Sequence, residues 1–303
     1  MIKLQPEERK AIAQYIYAIC AIVLDESKAY LIEGRLATLV TELGCRSYGD
    51  LLFRAQGDKT GAIRRRIIDA ITTGETLFFR DTAPFEMLRH KLLPDLIDRR
   101  SRSGARIPIR IWSAACSTGQ EIYSIAIVIK ELLGSLDRYD VRLLGTDISD
   151  EAVARASRAH FSALEISRGT DSTTLSRHFE RAGDQWKIRD ELRAMASFRV
   201  FNLMHDFSSL GRFDIVFCRN VAIYFNDPDR IALFGRLERA LDRDGSLVVG
   251  AMESLTSVCP QLEPKRHMRS VYYQSRTAAP GTPTPGTPTA QPRYPPLAPK
   301  LRF

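Results

Sequence analysis

The sequence has few of the features that mark secreted, membrane-spanning or metal-binding proteins. Its 303 residues contain five cysteines and no C-x-x-C pair, which favours reduced thiols over a disulfide framework or a zinc site. The five histidines are scattered along the chain, so no metal ion is expected. The longest apolar run, Ile16 to Leu24, spans nine residues, whereas a membrane helix needs roughly 20. Acidic residues follow this run, where a signal peptide would have small ones. These absences predict a cytoplasmic protein without direct membrane insertion.

The net charge of +8 is not concentrated in one part of the chain. Residues 1–90 carry +1, residues 91–276 carry +4 and residues 277–303 carry +3. A surface that binds nucleic acid usually gathers its positive charge on one face, so no nucleic-acid partner is expected. Two local clusters remain, Arg64-Arg65-Arg66 and the arginines between 99 and 110. They have two interpretations: a solvated helix face and a basic linker, or a docking surface for an acidic partner.

The pattern of apolar residues divides the chain into three parts. Residues 1–90 show helical periodicity and predict a small all-helical domain. Residues 91–276 alternate buried strands with amphipathic helices, which predicts an α/β domain built on a parallel sheet. Short strands near 178–201, including 198–201, interrupt that alternation and predict a small β insertion. Eight of the 15 prolines lie in 277–303, so we expect a disordered tail whose partner the sequence does not name.

The segment 111–121 predicts a strand, a turn and the start of a helix. Small residues at every second position from 113 to 119 let the backbone approach a ligand closely. Only one of them is glycine, so the dinucleotide-binding fingerprint is absent. Glu121 after the turn, with Asp147 at the end of the next strand, suits a ligand with a ribose and a cationic end, and S-adenosylmethionine fits that description. Asp147 is equally well explained as the cap of a helix over 150–159.

Four sequence blocks resemble the chemotaxis receptor glutamate methyltransferases, the CheR family. The blocks are 72–81, 112–124, 145–149 and 213–225, and the resemblance extends over roughly 5–276. It implies a Rossmann-like class I methyltransferase domain with a small β insertion, preceded by a small all-helical domain. It also implies that the chain uses S-adenosyl-L-methionine, yields S-adenosyl-L-homocysteine, and converts glutamates on the cytoplasmic helical bundle of chemoreceptors to methyl esters for chemotactic adaptation.

The resemblance also implies which residues bind the cofactor and which act on the substrate. The cofactor-binding positions are Gly74, Thr76, Arg80, Glu121, Asp147, Asn202, Leu203, Arg219 and Asn220. Arg80 and Tyr224 are the implied catalytic residues and would position the substrate carboxylate. Without the resemblance, Arg80 is better explained as a helix cap or ion-pair partner and Tyr224 as a core tyrosine. Gly74 stands where the family usually has asparagine, so a hydrogen bond to the cofactor is expected to be lost.

Two other functions compete with receptor methylation. The positive charge favours methylation of nucleic acid, but the charge is spread evenly and Asn226-Asp227-Pro228 does not complete the amine-methylating Asn/Asp-Pro-Pro-aromatic motif. The loss of asparagine at position 74 favours a module that senses S-adenosylmethionine without catalysis.

The hairpin predicted at 178–188 bears on how a receptor is found. Some family members use a glycine-containing hairpin in the β insertion to grip a pentapeptide at the end of the receptor tail. Here the turn from Arg181 to Gln185 is short, and a trimmed hairpin offers less edge for strand addition. We expect an enzyme that is independent of the tether and docks directly on acidic receptor helices, with Arg64, Arg65 and Arg66 as the docking face.

Overall fold

The computed structural model describes residues 2–101 and 106–276. The tail predicted at 277–303 lies outside the described residues. Among the helices within these two ranges, none is both long and apolar enough to cross a membrane.

The first four helices bury a core of their own. They are α1 (Pro6–Cys20), α2 (Ala29–Glu42), α3 (Tyr48–Gly57) and α4 (Ala62–Ile71). Ile16, Ile32, Leu36 and Tyr48 are fully buried in this core. The spacing of apolar residues gives each helix one apolar face, and burial of these faces against one another stabilises helices too short to persist alone.

A longer helical segment connects this bundle to the sheet. It comprises α5 (Ala83–Met87), a π-helical turn (Leu88–Leu92) and α6 (Leu93–Arg100). Pro94 in the first turn of α6 explains the wider turn, because a proline inside a helix cannot donate a backbone hydrogen bond and clashes with the carbonyl four residues earlier. Its apolar side chains belong to the core under the sheet. Residue 90, where we expected the helical domain to end, lies within this segment.

Ten strands form two sheets within the described residues. They are β1 (Ile107–Ala114), β2 (Tyr139–Asp147), β3 (His160–Phe161), β4 (Phe179–Ala182), β5 (Gln185–Ile188), β6 (Ala196–Val200), β7 (Phe213–Cys218), β8 (Leu241–Val249), β9 (Leu262–His267) and β10 (Ser270–Ser275). The larger sheet has seven strands in the order β6-β2-β1-β7-β8-β10-β9. Five of these strands pair in parallel, and β10 runs antiparallel to both of its neighbours.

Helices cover both faces of the larger sheet. They include α7 (Gln120–Leu133), α8 (Asp150–Arg158), α11 (Asp190–Arg193) and α12 (Asp227–Ala240). Two further helices, α9 (Ala163–Ser167) and α10 (Ser172–His178), contact β5 and β4 instead. Successive side chains of a strand point to opposite faces, so Ile109 and Ile111 of β1 pack with α7, while Trp112 and Ala114 pack with α12. The predicted α/β fold with a Rossmann-like sheet is thereby confirmed.

The small insertion is a separate three-stranded sheet in the order β3-β5-β4. The expectation that 198–201 belongs to this insertion is wrong, because residues 196–200 form β6 at the edge of the larger sheet. β6 pairs in parallel with β2, and Phe198 lies opposite Gly145. A Cβ at Gly145 would come within 2.7 Å of the Phe198 ring. Glycine at position 145 therefore leaves space on β2 for the ring of Phe198.

Candidate active site

A cavity of about 350 Å³ lies between the helical bundle and the larger sheet. Its walls come from the turns that follow β1, β2 and β7, from the segment 71–80, and from residues 20–35 of the bundle. The carboxyl ends of these parallel strands meet at the same edge, and the chain order reverses between β1 and β7. Ligands of open α/β sheets bind in the crevice at this position, so the cavity is the candidate site.

The carboxylate of Asp147 is held in one orientation at the end of β2. Its Oδ2 accepts the amide N–H of Ser117 at 2.8 Å, and its Oδ1 accepts that of Ser149 at 3.0 Å. Burial raises the pKa of Asp147, and the backbone hydrogen bonds partly oppose that rise. The side-chain cap of α8 is Ser149, whose Oγ accepts the Ala152 amide. Each Asp147 oxygen keeps a lone pair, with which the carboxylate can accept hydroxyl groups of a ligand.

The turn after β1 passes close to the cavity. Ala115, Ser117 and Gly119 all have positive φ angles, of 62°, 50° and 97°. Such angles are strained for alanine and serine, and strain of this kind is found at functional sites. A Cβ at Gly119 would lie 3.0 Å from that of Ala156 in α8. The absence of a side chain there lets α8 pack closely against the turn.

Two oppositely charged side chains, Glu121 and Arg219, connect the turn after β1 to the end of β7. Glu121 accepts the hydroxyl of Ser113 through Oε1 at 2.7 Å and pairs through Oε2 with Nη1 of Arg219 at 2.9 Å. Both residues belong to the cavity lining, but the side chain of Arg219 is only 1% exposed. Its Nη2 donates to the carbonyl of Arg80 at 2.8 Å and to Asp81 at 2.9 Å.

The segment 72–81 crosses from the bundle to the sheet along one side of the cavity. Thr76 and Arg80 line the cavity, and Nη1 of Arg80 donates to the carbonyl of Glu75 at 3.2 Å. Gly74 lies beside the lining, with its carbonyl accepting Oγ of Ser117 at 3.0 Å. A Cβ at position 74 would meet only that Oγ, at 3.8 Å. The position therefore has room for a larger side chain.

Asn202 and Leu203 form the wall beyond β6. The Nδ2 group of Asn202 donates to the carbonyl of Ile19 in α1 at 3.0 Å, and its Oδ1 accepts the amide of Met204 at 2.9 Å. Leu203 is buried. Asn202 is thus engaged in joining the sheet to the bundle while lining the cavity.

Asn220 and Tyr224 follow β7 on the opposite side. Asn220 has a φ angle of 57°, and its backbone N–H donates to Oε2 of Glu253 at 3.0 Å. Tyr224 ends a 3-10 turn over Ala222–Tyr224 and lines the cavity. Its carbonyl accepts the amide of Val23 at 3.0 Å, so the chain that leaves α1 is attached directly beside it.

The bundle supplies a wall that the sequence motifs do not indicate. Val23, Leu24, Leu31 and Arg35 are among the lining residues between 20 and 35. The apolar run from residue 16 to 24 extends past the end of α1, and this excess of apolar residues beyond the helix is the one signal that could have marked the wall. The chain there is anchored by the hydroxyl of Tyr17, which donates to Asp229 at 2.8 Å and accepts from Asn226 at 2.9 Å.

The cysteines near the cavity are not activated nucleophiles. Burial raises the pKa of Cys116 and Cys218 and raises that of Cys20 to about 11. A thiol reacts as its thiolate, and these shifts keep the thiolate scarce near neutral pH. No cluster of three or more potential metal ligands occurs among residues 2–101 and 106–276.

Comparison with known proteins gives similarity over nearly the whole described chain. Residues 7–72 match the family model "CheR methyltransferase, all-alpha domain", and residues 74–270 match "CheR methyltransferase, SAM binding domain". The chain is 38% identical to "Chemotaxis protein methyltransferase Cher2" of Pseudomonas putida and 37% identical to "Chemotaxis protein methyltransferase 1" of Pseudomonas aeruginosa, each over 86% of this chain and 95% of the relative. It is 36% identical to the chemotaxis protein methyltransferase of Vibrio parahaemolyticus, over 90% of this chain and 98% of the relative.

Proposed function

Because this chain belongs to the CheR methyltransferase family and carries its S-adenosylmethionine-binding domain, we propose that it methylates glutamate side chains on the cytoplasmic helices of chemoreceptors. Methyl transfer from S-adenosylmethionine is the activity of the family, and the chain is a chemotaxis methyltransferase. The proposal adds three points: that the methylated residue is glutamate, that the substrate is a chemoreceptor, and that the reaction takes place in the cytoplasm. The observation that carries it is the cavity that brings Arg80 and Tyr224 to the same space as Asp147.

The residues around the cavity fit S-adenosylmethionine. The fixed, half-buried carboxylate of Asp147 suits ribose hydroxyls, which donate hydrogen bonds to a carboxylate. Glu121 adds a second carboxylate to the lining, where its charge is balanced by the guanidinium of Arg219. Apolar residues of the bundle and Leu203 suit the adenine ring. We place Thr76, Arg80, Asn202 and Asn220 around the same ligand, as the resemblance implies, and Gly74 at its margin.

The reaction makes modest demands on the protein. When bound, S-adenosylmethionine supplies an electrophilic methyl group. A glutamate carboxylate with a reference pKa of about 4.3 is already ionised at neutral pH, so no general base is required. The protein must align the carboxylate with its target and exclude water. The bundle wall provides the exclusion, and Arg80 and Tyr224 provide the alignment.

Arg80 and Tyr224 can each hold a carboxylate by hydrogen bonds. The guanidinium of Arg80 offers charge-assisted, bidentate donation, and the hydroxyl of Tyr224 offers one further donor. Arg80 equally suits the carboxylate of the cofactor itself. Arg80→Ala and Tyr224→Phe should separate these roles: loss of receptor turnover with unchanged product affinity assigns a residue to the substrate, and loss of product affinity assigns it to the cofactor.

The mode of receptor docking is a further part of the proposal. The β4–β5 hairpin closes through a two-residue turn at Gly183 and Asp184, and the edge strand β4 has only four residues. So short an edge offers little backbone for strand addition, which supports an enzyme independent of a receptor pentapeptide. Titration with the pentapeptide should show no micromolar binding, and tight binding would contradict this part.

The three arginines of the cluster differ in whether they form ion pairs within the protein. Arg65 pairs with Asp150 at 3.4 Å and Arg66 pairs with Glu42, so reversing either charge also breaks an internal contact. Arg64→Glu is therefore the cleanest test, with Arg243→Glu at the start of β8 as a control of equal charge. Arg64→Glu should raise the receptor KM and leave product affinity unchanged, and an unchanged KM would remove Arg64 from the docking face. The effect should weaken with salt, whose screening length is about 8 Å at physiological ionic strength.

The experiment that tests the proposed function is transfer of tritiated methyl groups. Purified receptor cytoplasmic domain and bulk RNA are offered in parallel with labelled S-adenosylmethionine. Label on the receptor alone supports the proposal. Label on RNA would favour the nucleic-acid alternative, and cofactor binding without label on either would favour a sensing module.

A further inference from the structure

Three side chains of the sheet domain form hydrogen bonds with the backbone of the segment 74–81. Oγ of Ser117 donates to the Gly74 carbonyl at 3.0 Å, and Oγ of Ser124 accepts the Phe79 amide at 2.9 Å. The third contact is the guanidinium of Arg219, which donates from Nη2 to the carbonyl of Arg80 at 2.8 Å and to Asp81 at 2.9 Å. The last of these reaches the backbone of Arg80, the residue we place against the substrate or cofactor.

The backbone on both sides of Arg80 is strained. Phe79 has a φ angle of 50° and Asp81 one of 56°. Residues with a Cβ rarely adopt such angles, and the conformation persists only where surrounding contacts determine it. The Ser124 hydroxyl fixes the Phe79 side of this turn, and Arg219 fixes the Asp81 side. The direction in which the Arg80 side chain leaves the backbone therefore depends on Arg219.

Arg219 is committed to the protein rather than to the cavity. Its side chain is 1% exposed, and it is balanced by Glu121 through Nη1 and by Asp81 through Nη2. The aromatic ring of Phe85 lies 5.8 Å from the guanidinium carbon. The buried Nε has no hydrogen-bond partner among the described residues. Because Nε is buried, it does not present a donor to a ligand in the cavity.

We propose that Arg219 is a positioning residue that holds the strained turn at Phe79–Asp81 and so directs Arg80 into the cavity. This inference rests on the proposed role of Arg80. It differs from the expectation that Arg219 binds the cofactor, because the contacts of its guanidinium lie within the protein. Removing the carboxylate of Asp81 should then lower activity through its effect on Arg80. Removing a direct contact with the cofactor should instead lower activity whether or not Arg80 is intact.

The test is a double-mutant cycle between Asp81→Asn and Arg80→Lys, measured as kcat/KM for methyl transfer to receptor. Arg80→Lys keeps a cation, so that residual activity remains measurable. Asp81→Asn should lower kcat/KM by about ten-fold, equivalent to roughly 1.4 kcal/mol, with an unchanged melting temperature. The double variant should be no worse than Arg80→Lys alone, because coupled residues give non-additive effects.

The matched control is Asp95→Asn in α6. Asp95 pairs with Lys91 at 3.0 Å, and its side chain is 40% exposed, compared with 47% for Asp81. This control should keep wild-type kcat/KM. Additive effects of Asp81→Asn and Arg80→Lys, or wild-type activity of Asp81→Asn, would overturn the inference.

A second readout separates positioning from direct cofactor binding. Arg219→Lys and Asp81→Asn should change the Kd for S-adenosylhomocysteine by the same factor. If Arg219→Lys weakens product binding while Asp81→Asn does not, Arg219 contacts the cofactor and the inference fails. Full activity of Arg80→Ala would refute the role of Arg80 and the inference together. Failure of the wild-type protein to methylate receptor would refute the proposed function instead.

Discussion

Replacing Asp147 with alanine should weaken cofactor binding by a predictable amount. The carboxylate is fixed by the amides of Ser117 and Ser149 at 2.8 and 3.0 Å, so it meets ribose hydroxyls without further reorganisation. Hydrogen bonds to a charged group contribute about 1.5–3 kcal/mol, and each 1.4 kcal/mol is about ten-fold in Kd. The Kd for S-adenosylhomocysteine should therefore rise by about 10- to 150-fold in Asp147→Ala.

Calorimetric titration measures this change, and the strand supplies its own control. Asp140 lies at the beginning of β2, at the opposite edge of the sheet, where it pairs with Arg142 at 3.0 Å. Asp140→Ala also removes one carboxylate from β2, and it should leave the Kd for S-adenosylhomocysteine unchanged. A Kd of Asp147→Ala within two-fold of the wild-type value would refute the assignment of Asp147 to the ribose.

The pH dependence of binding should depend on the same residue. Burial raises the pKa of Asp147 above its ordinary value of 3.8, and hydroxyl donors bind the ionised form. Binding should therefore weaken as pH falls through the raised pKa, and Asp147→Ala should lose this dependence. The free energy of unfolding should depend on pH in the opposite direction. Because the pKa of Asp147 is raised, the folded state holds the proton more tightly than the unfolded state, so the contribution of Asp147 to stability falls as pH rises from 3.8 through the raised pKa. An identical pH profile in wild-type protein and Asp147→Ala would contradict the binding prediction.

Three further predictions concern the surroundings of the cavity. Tyr17→Phe removes two hydrogen bonds between α1 and the sheet domain and should lower the free energy of unfolding, measured by denaturant titration, by about 0.5–1.5 kcal/mol. Tyr30→Phe, at a more exposed position, should leave it unchanged, and equal stabilities of the two variants would contradict this. Gly74→Asn should bind S-adenosylhomocysteine more tightly than Gly74→Ala, because both fill the open position but only asparagine adds hydrogen-bonding groups; equal Kd values would argue against it. The five buried thiols, including Cys116, should resist Ellman's reagent in native protein and react after unfolding, and rapid native reaction would show that burial does not protect them.

The fold was predictable because its main strands and helices are marked locally. Apolar runs such as 213–218 predict buried strands, and the alternation with helices predicts the parallel sheet. The location of β6 was not predictable from its residues, because it depends on pairing with β2, some 50 residues earlier. A strand's sequence indicates that it is a strand, but its partner is decided by the rest of the chain.

Some features of the site are likewise indicated by local sequence patterns, and others are not. The small residues at 113–119 and the acids that follow strands are local patterns, and they indicate an edge where a ligand binds. The ion pair between Arg219 and Asp81 joins residues 138 positions apart, and no local pattern indicates it. The wall formed by residues 20–35 depends on how the bundle docks on the sheet. The roles of the site residues toward cofactor and substrate remain predictions.

Methyl transfer to a receptor tests the central claim most directly. Purified protein, tritiated S-adenosylmethionine and a receptor cytoplasmic domain are combined, together with a receptor variant whose methyl-accepting glutamates are replaced by alanine. We predict label on the first receptor that base treatment releases, as it does from a methyl ester, and none on the variant. Equal label on both receptors, or no label on either while S-adenosylhomocysteine still binds the protein, would contradict the assignment of glutamate methylation.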